Sequence, residues 1–178
     1  LTPIVRHIAL KVGLVAVPIA RSMHTSPKPF AGVAMYLAFA VAVMVGGGHN
    51  DPKVAGILIT AALVALLGLV DDKVALSAKV KLLGQIGCAA LLVYGFGVKI
   101  DFIFSPLGEH FIQFGRLAEP LTILWIVAFM NVVNFIDGLD GLAAGISTIA
   151  ALTLLLVSQN AMSMLLAAAL VGATIGFL

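Results

Sequence analysis

Long apolar stretches separated by short polar segments run through the chain. Six of them have about the length that crosses a bilayer as a helix; they are residues 30–48, 54–70, 82–98, 120–136, 142–158 and 161–178. We expect all six to be helices. Residues 1–20 are interrupted by Arg6, His7 and Lys11, and we interpret them as the tail of a preceding span followed by a helix at the interface. The predicted fold class is all-α, a polytopic membrane protein with about six to seven transmembrane helices.

The connection 99–119 has a different pattern. Apolar residues alternate on either side of Ser105-Pro106-Leu107-Gly108; they are Ile100, Phe102 and Phe104 before it, and Ile112 and Phe114 after it. Alternation bounded by a turn is typical of paired strands. The sequence therefore predicts a small extracytoplasmic hairpin.

The composition agrees with a membrane location. The 178 residues are 62% hydrophobic and 10% charged, whereas soluble domains are roughly 45–50% apolar and 25% charged. A net charge of +2 is too small for a nucleic-acid surface, so no nucleic acid is expected as a partner. The chain begins and ends within apolar sequence, and we expect residues 1–178 to be a single transmembrane domain truncated at both ends.

The basic residues between the stretches predict the orientation. Seven fall on one side, namely Arg6, Lys11, Arg21, Lys28, Lys73, Lys79 and Lys81, and three on the other, Lys53, Lys99 and Arg116. The positive-inside rule places the first set in the cytoplasm. His24, Asp71, Asp72, Asp137 and Asp140 then share the cytoplasmic face.

Acidic residues follow two of the predicted spans. Asp71-Asp72 closes the stretch 54–70 and Asp137 closes 120–136, so each acid lies at a helix C-terminus, where the helix dipole is already negative. Together these acids predict a pocket that binds a cation. The alternative is that they are solvated acids where helices leave the membrane, with Lys73 as counter-charge.

A polar stripe leads to the second acidic site. Asn131, Asn134 and Asp137 recur at i, i+3 and i+6 on one helix face. Gly138-Leu139-Asp140-Gly141 then breaks the helix, and the next helix directs its N-terminal N–H groups to the same place. This combination suits a magnesium-bound diphosphate carrying a base. The alternative for the asparagines is hydrogen bonding between helices.

The loop 21–29 adds basic groups to the same predicted face. Arg21 and Lys28 could meet phosphates, and His24 could hydrogen-bond one or exchange a proton. The alternative is a juxtamembrane loop that contacts lipid headgroups.

Three segments resemble the polyprenyl-phosphate N-acetylhexosamine-1-phosphate transferases, glycosyltransferase family 4. They are residues 24–29 with Gly32, residues 68–85 (GLVDDKVALSAKVKLLGQ) and residues 131–147 (NVVNFIDGLDGLAAGIS). The run 76–85 and the loop before 120–136 look more like the branch that acts on undecaprenyl phosphate and GlcNAc than the muramoyl-pentapeptide branch.

The resemblance implies a reaction in the bacterial plasma membrane. Undecaprenyl phosphate would attack the β-phosphate of UDP-GlcNAc with Mg²⁺ (Mn²⁺ possible) as cofactor, an early step of teichoic acid or other envelope polysaccharide synthesis. The resemblance also implies a magnesium motif and a His-rich loop after residue 178, so we expect little turnover from this chain alone. The small residues Ala168, Gly172 and Gly176 suit tight packing, either within one chain or in a homodimer.

The resemblance also implies roles for particular residues. Asp71 and Asp72 match the family's acidic pair at the lipid-phosphate end and, with Asp137, are the catalytic candidates. Asn134 matches a residue that contacts the metal. The substrate-binding candidates are Asn131, Gly138, Leu139, Asp140, His24 and Lys28, of which Gly138, Leu139 and Asp140 match the uracil-binding turn.

Two other functions remain open from the residues. Intramembrane acids and asparagines also serve cation-coupled transporters, although 54–70 and 142–158 contain no charge. The chain could also be an inactive fragment of the transferase fold with a role in assembly or lipid binding.

Overall fold

A computed structural model of the chain describes residues 15–16, 28–29, 31–105, 110–137 and 141–178. Two short strands, β1 (Val15–Ala16) and β2 (Lys28–Pro29), precede the helices. Six α-helices follow: α1 (Ala31–Val45), α2 (Pro52–Val74), α3 (Ala78–Ala90), α4 (Ala118–Ile136), α5 (Leu142–Val157) and α6 (Ala161–Ile175). Each helix coincides with one predicted apolar stretch, so the prediction of six helices is confirmed.

The prediction for residues 1–20 is wrong where the structure describes them. Val15 and Ala16 form a strand that pairs antiparallel with Pro29 and Lys28. Their backbone groups therefore belong to a strand pair and not to a helical turn. The remainder of residues 1–20 lies outside the described residues.

Three of the helical segments are long and apolar enough to cross a membrane, namely Pro52–Val74, Ala78–Gly95 and Gly115–Ile136. The other three helices are apolar but contain 15, 16 and 15 residues, below the roughly 17 that a span needs. The all-α membrane class is confirmed. By length and composition, three of the six predicted spans qualify within the described part of the chain.

Local sequence explains where several helices begin. Asp51 caps α2 by accepting the Lys53 N–H at 2.8 Å, and Pro52 occupies the first helical position, where its missing N–H costs nothing. Asn160 caps α6 by accepting the N–H groups of Met162 and Ser163. These caps satisfy donors that have no partner inside the helix.

The helices pack in two groups of three. In one, α3 lies between α2 and α4, and in the other, α6 lies between α1 and α5. The buried cluster belongs to α1, α2 and α6; it comprises Ala40, Val43, Val54, Leu58 and Ala169. Tyr36 of α1 donates to the Leu58 carbonyl at 3.0 Å, and Thr148 of α5 bonds Thr174 of α6 at 2.7 Å.

Close packing of α3 on α2 depends on small residues. A Cβ added to Gly84 would lie 2.9 Å from Leu67 Cδ1, and one added to Gly56 would overlap the Phe96 ring. After Ala90 the helix widens into a π-helical turn, Leu91–Gly95, and Gly97 ends it with φ +66°. The approach of α3 to α2 is therefore set by glycines at both ends of the contact.

The predicted hairpin is confirmed. Strands β3 (Phe102–Phe104) and β4 (Phe111–Gln113) pair antiparallel, with Phe104 opposite Phe111. Phe111 packs edge-on against Phe102 and Phe104, with ring centroids 5.1 and 5.7 Å away. The turn, 106–109, lies outside the described residues. Ala168 and Gly172 on α6 and Gly176 directly after it are exposed, and the homodimer stays a prediction.

Candidate functional site

Asp71 organises the turn that joins α2 to α3. Its carbonyl accepts the Ala75 N–H at 2.8 Å, and its side-chain Oδ1 accepts the Leu76 N–H at 3.1 Å. Lys81, in the first turn of α3, donates from Nζ to the other carboxylate oxygen, Oδ2, at 2.6 Å. Both carboxylate oxygens of Asp71 are therefore engaged within the protein.

The turn itself has an unusual backbone. Ala75 has φ +50° and ψ +68°, the left-handed conformation that a residue with a Cβ adopts at a cost of roughly 1–2 kcal/mol. The N–H groups of Ala75 and Leu76 both donate to Asp71, and these two hydrogen bonds hold the chain in this conformation. Ser77 then accepts the Val80 N–H and starts α3.

Asp72 differs from its neighbour. Its side chain is exposed, and among the described residues it takes part in no hydrogen bond or ion pair. It lies within electrostatic range of Asp71, Lys81 and Asp137. Asp72 is therefore near enough to Asp137, at the end of α4, to interact with it electrostatically, and we call Asp71, Asp72 and Asp137 the acidic cluster.

Asn131 ties α4 to α3. Its Nδ2 donates to Gln85 Oε1 at 2.8 Å and to the Val127 carbonyl at 2.8 Å, and Gln85 is only 5% exposed. This contact is the hydrogen bonding between helices that the alternative for the stripe predicts. Gln85 was not among the predicted site residues, although an amide one turn after Lys81 in an apolar helix is a signal that could have found it.

The rest of the stripe is more accessible. Asn134 is exposed and, in the part of the chain that the structure describes, makes no hydrogen bond. Asp137 ends α4 and donates its N–H to the Val133 carbonyl at 3.1 Å. Gly141 starts α5 in the left-handed region, with φ +78°. Asn134 and Asp137 can therefore meet a ligand without first losing a contact to Gln85.

Several predicted site residues fall outside the described residues: His24, Gly138, Leu139 and Asp140. Lys28 lies in β2, and its side chain is not described. The binding roles assigned to these five residues stay predictions, as do the catalytic roles of the acidic cluster.

The side chains of the candidate site can be compared with the oxygen ligands that Mg²⁺ prefers. Within the described ranges no three His, Cys, Asp or Glu side chains come together to hold a metal ion. Mg²⁺ does not require such a cage, because it usually takes one or two protein carboxylates and completes its shell with phosphates and water. Asp72, Asp137 and the Asn134 amide supply oxygen donors of this type, so the residues fit a metal that binds together with a diphosphate.

The sequence of the chain is similar to a known protein family and to several of its members. The family model of glycosyl transferase family 4 matches residues 54–178. The chain is 38% identical to a probable undecaprenyl-phosphate N-acetylglucosaminyl 1-phosphate transferase of Bacillus subtilis, over 100% of the chain and 51% of that protein.

Two further relatives agree. A decaprenyl-phosphate N-acetylglucosaminephosphotransferase of Mycolicibacterium smegmatis is 35% identical over 84% of the chain and 39% of its own length. A phospho-N-acetylmuramoyl-pentapeptide-transferase of Heliobacterium modesticaldum is 35% identical over 83% and 50%. The chain spans about half the length of the B. subtilis relative. No solved structure matches it. All three relatives are named as transferases, which favours an enzyme over a transporter.

Proposed function

The chain belongs to glycosyl transferase family 4, and we propose on this basis that its protein transfers GlcNAc-1-phosphate from UDP-GlcNAc to undecaprenyl phosphate. An oxygen of the lipid phosphate forms a bond to the β-phosphorus, and the bond from that phosphorus to the oxygen bridging the two phosphates breaks. The products are undecaprenyl-diphospho-GlcNAc and UMP. The B. subtilis relative, matched along the whole chain, supports this choice of acceptor and sugar.

One observation carries the proposal: Asp72 at the end of α2 lies within electrostatic range of Asp137 at the end of α4. Two acidic motifs 65 residues apart, by subtraction of the residue numbers, therefore interact electrostatically, which supports a shared site. A cluster of carboxylates cannot bind a diphosphate directly, since like charges repel. A divalent cation between them resolves the repulsion, and the donor types present suit one.

Mg²⁺, or Mn²⁺ in its place, would neutralise charge on the diphosphate when bound, held by Asp72, Asp137 and Asn134. The lipid phosphate needs no base if it arrives as a dianion, given a second pKa of about 6. Gly138, Leu139 and Asp140 would bind the uracil. His24 and Lys28 would contact the donor phosphates, and Asn131 would shape the wall through Gln85.

The orientation forms part of the proposal. The basic residues concentrate on the side that carries the acidic cluster, which puts that side in the cytoplasm of a bacterial plasma membrane. UDP-GlcNAc would enter from the cytoplasm, and the lipid carrier would reach the same site from within the bilayer.

The test uses membranes that contain the full-length protein, undecaprenyl phosphate and UDP-[³H]GlcNAc. We expect labelled lipid and an equal amount of UMP, with product formation lost in EDTA and restored by Mg²⁺ or Mn²⁺. Asp72→Asn and Asp140→Asn should each reduce product formation at least about 100-fold, the scale seen when a group that stabilises transition-state charge is removed. Full activity in both variants would overturn the site assignment, and absence of labelled lipid would overturn the reaction.

A further inference from the structure

The two adjacent acids of the acidic cluster have different surroundings. Asp71 accepts Leu76 N–H through Oδ1 and Lys81 Nζ through Oδ2, at 3.1 and 2.6 Å. Asp72 has no such contact among the described residues, and its side chain is exposed. One carboxylate is committed to the protein, while its neighbour is available to a ligand.

We propose that Asp71 is a positioning residue, which together with Lys81 fixes the α2–α3 turn and so presents Asp72 to the substrate. This inference rests on the proposed function and replaces the catalytic role predicted for Asp71. Asp71 is not the proton acceptor in this scheme.

The engagement of Asp71 argues against a role as base or metal ligand. A charge-assisted hydrogen bond at 2.6 Å is strong, and the pair is only partly exposed, with Lys81 at 27% and Asp71 at 21%. Binding a proton or a metal at Oδ2 would cost this contact. Binding at Oδ1 would compete with the Leu76 N–H for that oxygen.

The same contacts explain how Asp71 acts on Asp72. The turn after α2 returns the chain at once into α3, with Ala75 in the left-handed region. Asp71 accepts hydrogen bonds from three groups beyond it: Ala75 N–H, Leu76 N–H and Lys81 Nζ. The last turn of α2, which carries Asp72, is thereby fixed against the first turn of α3.

A second contact on α3 extends the effect to α4. Gln85 lies one helical turn after Lys81 and bonds Asn131. Residues four apart lie on the same helix face. Hence Lys81 fixes α3 to the acid of α2, and Gln85 fixes it to the helix that ends in Asp137. The relative placement of Asp72 and Asp137 depends on both contacts.

A double-mutant cycle in the full-length protein tests the proposal. We expect Asp71→Asn and Lys81→Met each to lower kcat about 10- to 100-fold, the scale of a slightly misplaced reacting group. The double variant should lose no more than the worse single variant, because both changes remove one contact. Lys81→Arg, which can keep the ion pair, should stay within about threefold of the wild type.

Two readouts separate positioning from chemistry. In Asp71→Asn the pH dependence of kcat and the Mg²⁺ concentration at half-maximal rate should match the wild type, whereas Asp72→Asn should raise the Mg²⁺ requirement. A base would instead account for about 10²–10⁴-fold. Such a loss in Asp71→Asn with a changed pH profile, and near-normal Lys81→Met, would overturn the proposal, as would multiplicative losses in the double variant.

A measurement without turnover separates this inference from the proposed function. Hydrogen exchange of the segment 75–81 should rise at least about 10-fold in Asp71→Asn and in Lys81→Met, since opening of the turn becomes easier. Unchanged exchange in both would refute positioning even if the enzyme is active. If Asp71→Asn fails to fold, Asp71→Glu takes its place: retention of more than a tenth of the activity supports positioning, and a loss of about 10³-fold with normal Lys81→Arg opposes it.

Discussion

Two lysines with acidic partners lie in different parts of this protein and differ in what surrounds them. Lys81 pairs with Asp71 at 2.6 Å between partly buried side chains. Lys99 lies between Asp101 at 3.1 Å and Glu119 at 3.5 Å, in the hairpin connection, with Asp101 57% exposed. We call Lys99, Asp101 and Glu119 the hairpin cluster.

The difference between the clusters lies in which acids remain available. In the hairpin cluster, Lys99 contacts both acids, and exposed pairs of this kind contribute little. In the acidic cluster, Lys81 pairs with Asp71, while Asp72 is exposed and, among the described residues, has no hydrogen bond to Lys81. An ion pair that supports a ligand site thus differs from one that only maintains a loop. Beside the first lies an acid that the lysine does not contact.

The largest expected effect separates the two clusters by activity. Asp72→Asn should lower the rate of lipid product formation about 100- to 1,000-fold, because it removes an unengaged charge at the proposed metal site. Asp101→Asn, the matched change in the hairpin cluster, should leave the rate within about twofold. Comparable losses in both variants, measured with [³H]GlcNAc transfer at saturating Mg²⁺, would remove the distinction.

The next effect compares a contact that α4 makes through Asn131 with one that it makes through Thr122. Gln85→Leu removes the acceptor of Asn131, and Thr122→Val removes the acceptor of the Ile100 N–H, which lies 2.9 Å from Thr122 Oγ1. Each should destabilise the protein by about 1 kcal/mol. Only Gln85→Leu should also lower kcat, by about 10-fold, since it alone affects the position of Asp137.

Thermal unfolding in detergent and initial rates on the same preparations measure this pair. Equal loss of activity in Thr122→Val would mean that any loosening of α4 inactivates the enzyme. The contact to Gln85 would then have no special role.

A smaller effect compares Ala75, which follows α2, with Gly97, which follows the π-helical turn. Both have a left-handed backbone. Ala75→Gly should stabilise the protein by roughly 1 kcal/mol, because glycine adopts φ +50° without a Cβ clash. Gly97→Ala should destabilise it by a similar amount: φ is +66° there, and no neighbouring atom within 4 Å would meet the new Cβ. A destabilised Ala75→Gly, measured by thermal unfolding, would contradict the described turn.

The smallest effect concerns the hairpin cluster and pH. The hydrogen bond to Asp101, followed by the charges of Asp101 and Glu119, raises the pKa of Lys99 above its ordinary 10.5. A raised lysine pKa contributes stability that is complete below the unfolded pKa and is lost as pH rises through the folded pKa. The melting difference between wild type and Lys99→Met should be small, constant from pH 7 to 9, and lost as the pH rises beyond 10.5 through the raised pKa of Lys99. A difference that changes between pH 7 and 9 would point to another group.

The helices and the hairpin could be predicted from sequence because apolar length and alternation are local signals. The stretch 54–70 lies inside α2, and the alternation of Phe102 and Phe104 continues into a real strand. The helix α1 proved shorter than a full span because it ends before Gly46-Gly47, inside the apolar run 30–48. The helix α6 ends at Ile175, before the run 161–178 is complete. Val15 and Ala16 failed as a helix because their partner, Lys28–Pro29, is not visible in a local pattern.

The pairing of site residues could not be predicted from spacing. The alternative of solvated acids names Lys73 as the counter-charge, yet the lysine that pairs with Asp71 is Lys81. Side chains two positions apart on a helix, such as Asp71 and Lys73, point to different sides. The α2–α3 turn instead brings Lys81 back onto Asp71. Gln85 and Asn131 are 46 positions apart, so their contact depends on the rotation of two helices about their axes.

The four-residue interval between Lys81 and Gln85 also limits which sequence lengths the enzyme can tolerate. One residue inserted or deleted between them turns the second side chain by about 100° around the helix axis, away from Asn131. We expect insertions and deletions to concentrate in the hairpin and to be excluded from 81–85. In that segment a change of length would lower activity more than almost any substitution.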